Sequence, residues 1–295
     1  HREDTMQLEL GKGYDCDGIK PWTVLRKDSK DWQRQRKQLI EQHALDDRGG
    51  RPDAAIYTGA KTKSHQRISG GASVFDPALA QCLTAWYTPP GGTIIDPFAG
   101  GPTRGVIAHS LGRNYMGIDL MQSQVEYNHT HHKGPQWRHG DALTALRSLP
   151  DASFDAALTC PPYWDLERYS DDPRDLSTMG KAEFLDTHAK IITETARVLK
   201  EDSFAVWIIG DKRDKHGHLA GLPWHTIEAF EQAGMPLVND HILVTPVGSK
   251  FWTLGRTFRA TRTATRLHQY VLVFIKGDRR EATTKITEAT NADTK

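Results

Sequence analysis

The stretch Thr93-Ile-Ile-Asp96-Pro-Phe-Ala-Gly100-Gly101-Pro-Thr-Arg-Gly105 decides the fold. A short apolar run closed by an acidic residue, then a proline, then paired glycines, reads as a buried strand turning tightly into a helix. Glycines at such a turn let a ligand approach the backbone, and doubly wound folds bind their cofactors at the C-terminal edge of a parallel sheet. The spacing is not the G-x-G-x-x-G of dinucleotide folds, and a glycine-rich turn without a ligand is the plain alternative.

Downstream of this stretch, short apolar runs at 115–119, 154–159 and 204–209 alternate with helical patterns, which is the signature of an α/β fold built on a parallel sheet. The clearest helix is expected over 181–199, where Phe184, Leu185, His188, Ile191, Ile192, Ala196 and Leu199 share one stripe. Two late strands, 241–247 and 269–275, are separated only by irregular sequence, so an antiparallel pair at one edge of a mixed sheet is expected. Residues 1–70 read as an extension packed on the core, and 281–295 as a frayed tail.

At 295 residues the chain is long enough to bury a core unaided. Apolar residues at 38%, with 25 glycines besides, exclude global disorder. Lys and Arg number 38 against 37 Asp and Glu, so attraction to a polyanion must come from local clustering. The longest apolar runs, such as 270–275, fall far short of the roughly 20 residues a membrane helix requires. Cys16, Cys82 and Cys160 have no C-x-x-C spacing, which argues against a disulfide framework and a zinc ribbon. The expectation is a soluble protein of a reducing compartment without an export segment.

Asp119 closes the strand after the glycine turn, where an acidic side chain can accept both ribose hydroxyls of an adenosine ligand, and Asp141 follows one strand later. Capping of the next helix is the structural alternative for each Asp. In Ala157-Leu-Thr-Cys160-Pro161-Pro162-Tyr163 a buried strand runs into two prolines that end it rigidly. Lacking N–H groups, the prolines present carbonyl acceptors, and the turn holds the Tyr163 face where it can meet a planar group.

Taken together, these segments resemble the amino-group DNA methyltransferases of the phage and prophage type. Asp96-Pro-Phe-Ala-Gly is similar to that family's cofactor loop, Asp119 to its ribose carboxylate, Asp141 to its adenine-edge position, and Thr159-Cys-Pro-Pro-Tyr to its catalytic motif. Ser73-Val-Phe-Asp-Pro resembles the segment completing the methionine pocket; Trp164-Asp-Leu-Glu-Arg-Tyr-Ser, Gly210-Asp-Lys-Arg-Asp and the closing run 268–277 extend the likeness. The motif order resembles the gamma-like arrangement.

The resemblance implies a class I methyltransferase Rossmann-like fold with a mixed seven-stranded sheet, its methyltransferase domain spanning 71–280. It implies S-adenosylmethionine as methyl donor, with S-adenosylhomocysteine as product. Phe75, Asp96, Phe98, Ala99, Gly100, Gly101, Asp119, Leu120, Asp141 and Ala142 would bind it, and Cys160, Pro161, Pro162 and Tyr163 would form the catalytic motif. It further implies a double-stranded DNA substrate, a bacterial or phage-infected cytoplasm, and room for a restriction endonuclease counterpart. In this family Ser-Pro-Pro-Tyr accompanies cytosine N4, and Asp- or Asn-Pro-Pro-Tyr adenine N6. Cys160 departs from all three; its small side chain and the preceding Leu158-Thr159 resemble the cytosine form, with adenine N6 the alternative. Related motifs also serve RNA and protein substrates, and a DNA-binding protein without catalysis is a further alternative.

The implied chemistry is direct methyl transfer to a positioned amine of a flipped base, with the Pro161 carbonyl accepting an amine hydrogen and Tyr163 stacking on the base. A thiol accepts hydrogen bonds weakly, so Cys160 contributes mainly shape. A cytosine-C5 mechanism with Cys160 as nucleophile is disfavoured, because that family places its cysteine after a proline. For DNA, the informative run is 241–277, which contains no acidic residue. Within about 248–268 it carries Lys250, Arg256, Arg259, Arg262 and Arg266 interleaved with Phe251, Trp252 and Phe258, a patch suited to phosphates. The pairs His131-His132 and His216/His218 have no four-ligand partner set, so no metal is assigned.

Overall fold

A computed structural model describes residues 16–45, 74–246 and 251–292. The β2 strand (Thr93–Asp96) lies inside an eight-stranded sheet with order β1-β7-β8-β6-β5-β2-β3-β4. The other strands are β1 (Val24–Arg26), β3 (Asn114–Asp119), β4 (Gln136–His139), β5 (Phe154–Thr159), β6 (Leu199–Ile209), β7 (Leu237–Val244) and β8 (His268–Lys276). β8 alone runs antiparallel to its neighbours, pairing β6 on one side and β7 on the other. The α/β class and mixed sheet expected from the methyltransferase resemblance are therefore present.

Two expectations about the sheet need correction. It has eight strands among the described residues where seven were expected, because β1, from the N-terminal extension, adds a parallel strand beside β7. The antiparallel pair is consequently not the edge: β8 is interior and β7 is covered by β1. A three-residue strand with only Leu25 buried leaves little periodicity to read.

Alternation along each strand feeds two cores. In β6, Phe204, Val206 and Ile208 face one layer, while Ala205, Trp207 and Ile209 face the other. The first layer is covered by α1 (Lys30–Gln42), α2 (Pro77–Tyr87) and α3 (Thr103–Ser110). The second is covered by α5 (Ala142–Arg147), α6 (Lys181–Val198) and α7 (Leu222–Gln232); α4 (Gln122–His131) lies beside β3 and β4. The expected stripe on α6 is buried at Phe184, His188, Ile191, Ile192 and Ala196. The N-terminal segment is tied in by Trp32, whose indole N–H lies 3.2 Å from both oxygens of Asp76. Asp76 also caps α2 through the Ala78 and Leu79 amides.

The linker between β7 and β8 and the C-terminal segment are helical where irregular chain was expected. α8 (Phe251–Thr261) fills the first, and α9 (Arg279–Ala292) the second. Asp278 accepts the Arg280 and Glu281 amides, and Ala282 is buried, so a cap and an apolar anchor hold a segment whose composition suggested fraying. Among the described residues no helix is long and apolar enough to cross a membrane.

Candidate active site

The chain runs from β2 outward to β3 and β4, then returns to β5 on the opposite side of β2. Between β2 and β5 the connections leave in opposite directions, opening a crevice above the C-terminal strand ends. Asp96 ends β2, Asp119 ends β3 and Cys160 follows β5, so the sheet brings the segments singled out in the sequence to one edge.

Two cavities open there, of about 110 and 230 Å³. The first is lined by Phe98, Gly100, Asp119, Leu120, Ala142 and Pro162, with Arg174 and Asp175. The second is lined by Phe75, Ala99, Gly101, Pro161, Tyr163 and Glu167. Phe98, Gly100, Cys160 and Tyr169 line both, so the two spaces meet at these four residues.

In the turn after β2, Gly100 has φ +55°, a conformation that favours glycine. Its amide donates to Asp119 Oδ2 at 2.8 Å, and the Met121 amide donates to Oδ1 at 2.8 Å. These bonds aim the Asp119 carboxylate along the rim of the first cavity.

Asp96 departs from the expectation. Its side chain is 0% exposed and lines neither cavity. Oδ2 accepts Arg104 Nε at 2.6 Å and Tyr115 Oη at 2.7 Å; Oδ1 accepts the Phe98 amide and Thr159 Oγ1. Arg104 also donates to the carbonyls of Phe98 and Ala99, and its guanidinium lies 4.5 Å from the centre of the Phe75 ring. Burial, the largest single influence, disfavours the Arg104 charge, but Asp96, Tyr115 and Cys160 together outweigh it and hold the guanidinium protonated above its ordinary value. Asp96 thus shapes the loop from within. Arg104, Tyr115 and Thr159, which sequence reasoning did not assign, complete that network; the only signal was an arginine in the first turn of the helix after the glycine loop. Asp141 likewise lines neither cavity and caps α5 by accepting the Thr144 amide at 2.9 Å.

Cys160 is half-buried, with Sγ 3.4 Å from Tyr163 Oη. Burial raises its thiol above the ordinary value, leaving a neutral sulfur rather than a nucleophilic thiolate. Burial also pushes the Tyr163 phenol well up. The Tyr163 ring packs on Gly210, just after β6: a Cβ there would lie 2.6 Å from Tyr163 Cε2. Beyond the two prolines, Trp164 donates to the Met179 carbonyl, and Lys212 pairs with Asp165 while lying over the Trp164 ring. Asp175 accepts from the amides and hydroxyls of both Ser170 and Ser177, which fixes the loop beside the first cavity.

The basic residues divide. Arg256, Arg259 and Arg262 are exposed, and Arg262 lies 5.7 Å from the Phe258 ring centre. Arg266 instead turns inward, contacting His268 Nε2 at 3.0 Å and Asp211 at 3.9 Å. Lys250 and Ser73 lie outside the described residues. His131 stacks on Tyr127 at 4.1 Å, and no group of three or more His, Cys, Asp or Glu among the described residues is placed to hold a metal.

A model of the N6/N4 family, described as DNA methylase, matches residues 18–129 and 154–295. The chain belongs to this family of amino-group DNA methylases. Among curated relatives of this chain, the type II methyltransferase M.Cfr9I of Citrobacter freundii is 27% identical over 169 residues, covering 48% of this chain and 54% of that protein. The type II methyltransferase M.BglII of Bacillus subtilis is 31% identical over 109 residues, covering 37% and 29%. The chain thus spans about half the length of M.Cfr9I. A TehB-like SAM-dependent methyltransferase from Corynebacterium glutamicum superposes with a TM-score of 0.42 at 18% identity, over 72% of this chain and 93% of that one.

Proposed function

We propose that this methylase transfers a methyl group from S-adenosylmethionine to the exocyclic amine of a base flipped from double-stranded DNA, with cytosine N4 as the target. The observation that carries the reading is the meeting of two cavities at Cys160, Phe98, Gly100 and Tyr169, in the crevice between β2 and β5. One reactant in each cavity brings a donor and an acceptor to a common wall, which is what direct transfer requires.

The residues of the first cavity suit an adenosine donor. A carboxylate oriented by two backbone amides matches a ribose diol, and Phe98, Leu120 and Ala142 offer apolar walls to a purine. Phe75, Ala99 and Gly101 would hold the amino-acid end. When bound, the donor supplies an electrophilic methyl carbon on a sulfonium.

The chain's own residues do the rest. Pro161, with no N–H, offers its carbonyl to one amine hydrogen, and the Tyr163 face, backed by Gly210, stacks on the base. Cys160 is small and uncharged, leaving space at the wall rather than a strong acceptor. That small side chain, in the position of the serine that accompanies N4 methylation, favours cytosine. Arg256, Arg259 and Arg262 on and beside α8 would contact phosphates.

The test is to incubate the protein with unmethylated duplex DNA and isotope-labelled donor, digest to nucleosides, and identify the product by mass spectrometry. N4-methylcytosine is expected; N6-methyladenine alone would move the target to adenine, and label in RNA or protein but never in DNA would overturn the reading.

A further inference from the structure

Among the described residues that line the second cavity, the charged side chains are already committed, with one exception. Lys27 pairs with Asp76 at 3.1 Å, and Arg104 pairs with Asp96 at 2.6 Å. Among the described residues, no cation lies within ion-pair distance of Glu167. Its Oε2 accepts Tyr169 Oη at 2.7 Å, and its Oε1 accepts no hydrogen bond from a described residue. Tyr169 lines both cavities, so Glu167 is held from the wall that the two spaces share.

The catalytic motif has lost an oxygen at the same place. Ser, Asp or Asn at position 160 would offer one, whereas Cys160 offers a sulfur already engaged with Tyr163 Oη at 3.4 Å. Glu167, seven residues on, lines the cavity that Cys160, Pro161 and Tyr163 line. A carboxylate is a stronger acceptor than a hydroxyl or an amide, and it can also accept a proton. Burial is the main reason that Cys160 and Tyr163 resist ionisation, and the Glu167 charge acts on both in the same direction, as a carboxylate near them must.

We propose that Glu167 is a catalytic residue of the methyl transfer: its Oε1 accepts a hydrogen bond from the exocyclic amine of the target base and takes the proton that the amine loses. This rests on the reading of the site as an amino methyltransferase. The amine lone pair forms the nitrogen–carbon bond, the carbon–sulfur pair stays on sulfur, and one N–H proton passes to Oε1. A sulfonium and a carboxylate become a thioether and a carboxylic acid, so charge and atoms balance. Pro161 keeps the other amine hydrogen, and Cys160 leaves room for both.

The experiment compares wild type, Glu167→Gln and Glu167→Asp on a duplex whose methylated position has been mapped by sequencing. Single-turnover transfer should slow about 100-fold in Glu167→Gln, the order expected for losing a general base, with donor and duplex affinities held within about threefold. Glu167→Asp, which keeps the acid but shortens its reach, should fall between. A binding readout needs no turnover: wild type should prefer an amino base over its carbonyl counterpart at the target (cytosine over uracil, or adenine over hypoxanthine) by about tenfold, because a carboxylate repels a carbonyl oxygen. In Glu167→Gln that preference should collapse, since an amide can donate. Transfer within about threefold of wild type, together with an unchanged base preference, would overturn the role of Glu167 while leaving the site reading intact. Absence of any methylated nucleoside from wild type overturns the site reading, and the Glu167 proposal with it.

Discussion

Arg104 Nε lies 2.6 Å from Asp96 Oδ2, with the two side chains 5% and 0% exposed. A buried pair of this kind adds little net stability over a hydrophobic substitute, but removing one partner strands a charge. Here Arg104 also holds the carbonyls of Phe98 and Ala99, so the pair sets the shape of the loop that lines both cavities. Arg104→Ala should destabilise the protein by about 3–5 kcal/mol, read from urea unfolding, and weaken donor binding at temperatures where the variant is folded. A loss below about 1 kcal/mol would mean that the pair is not the organiser described here.

Tyr163 needs the empty space at Gly210. In Gly210→Ala the added methyl meets the ring at distances of 2.6 and 2.8 Å, so ring or backbone must shift. Overpacking of this kind costs about 1–3 kcal/mol. If the cost falls on the ring proposed to stack on the base, transfer slows roughly 5- to 150-fold at near-normal donor affinity. Single-turnover rates beside donor titrations check this.

His188 is buried, accepts Trp207 Nε1 at 3.1 Å, and is pushed down to about 4, first by burial and then by the nearby His225. The unfolded chain binds a proton at about 6.5, the folded chain only near 4, so acid favours unfolding across that window. Stability should hold above the upper value and fall as pH drops toward the lower one, by roughly 3 kcal/mol at most. Burial lowers His241 as well and adds to the same limb. His188→Gln, which keeps an acceptor for Trp207, should flatten the fall in thermal midpoint on acidification; an unchanged profile contradicts this assignment.

The exposed arginines and Arg266 should separate experimentally. Arg256→Gln and Arg259→Gln should each lower the salt dependence of DNA affinity by about one unit in the log–log slope, with the fold unaffected. Arg266, turned toward His268 and Asp211, should affect thermal stability more than that slope. Equal behaviour of all three would show that the division between exposed and inward arginines has no bearing on DNA.

What the sequence disclosed followed from strong local signals. Thr93–Asp96 and Phe154–Thr159 were legible because apolar runs ending in Asp-Pro and Cys-Pro-Pro leave few alternatives, and those two strand ends frame the crevice. Asp119 reads as a ligand-facing carboxylate and stands on the rim of the first cavity. Asp96 looked the same in sequence but points inward, because its fate depends on Arg104, Tyr115 and Thr159, which no local pattern pairs with it. β1 is too short to show a period, and α9 lies in Thr- and Arg-rich sequence that the Asp278 cap and the buried Ala282 hold in a helix. Glu167 belongs to the Trp164–Ser170 run, and that no cation among the described residues pairs with it is visible only in three dimensions.

The central claim is that one cavity takes the donor and the other the base, meeting at Cys160. The most direct test is calorimetric titration of S-adenosylhomocysteine into wild type, Asp119→Ala and Tyr163→Ala, with methylation of duplex DNA measured on the same samples. The account predicts that Asp119→Ala weakens binding by about tenfold or more, the scale of a lost charged hydrogen bond, while Tyr163→Ala binds normally and methylates poorly. Normal binding by Asp119→Ala, or lost binding by Tyr163→Ala, would contradict it.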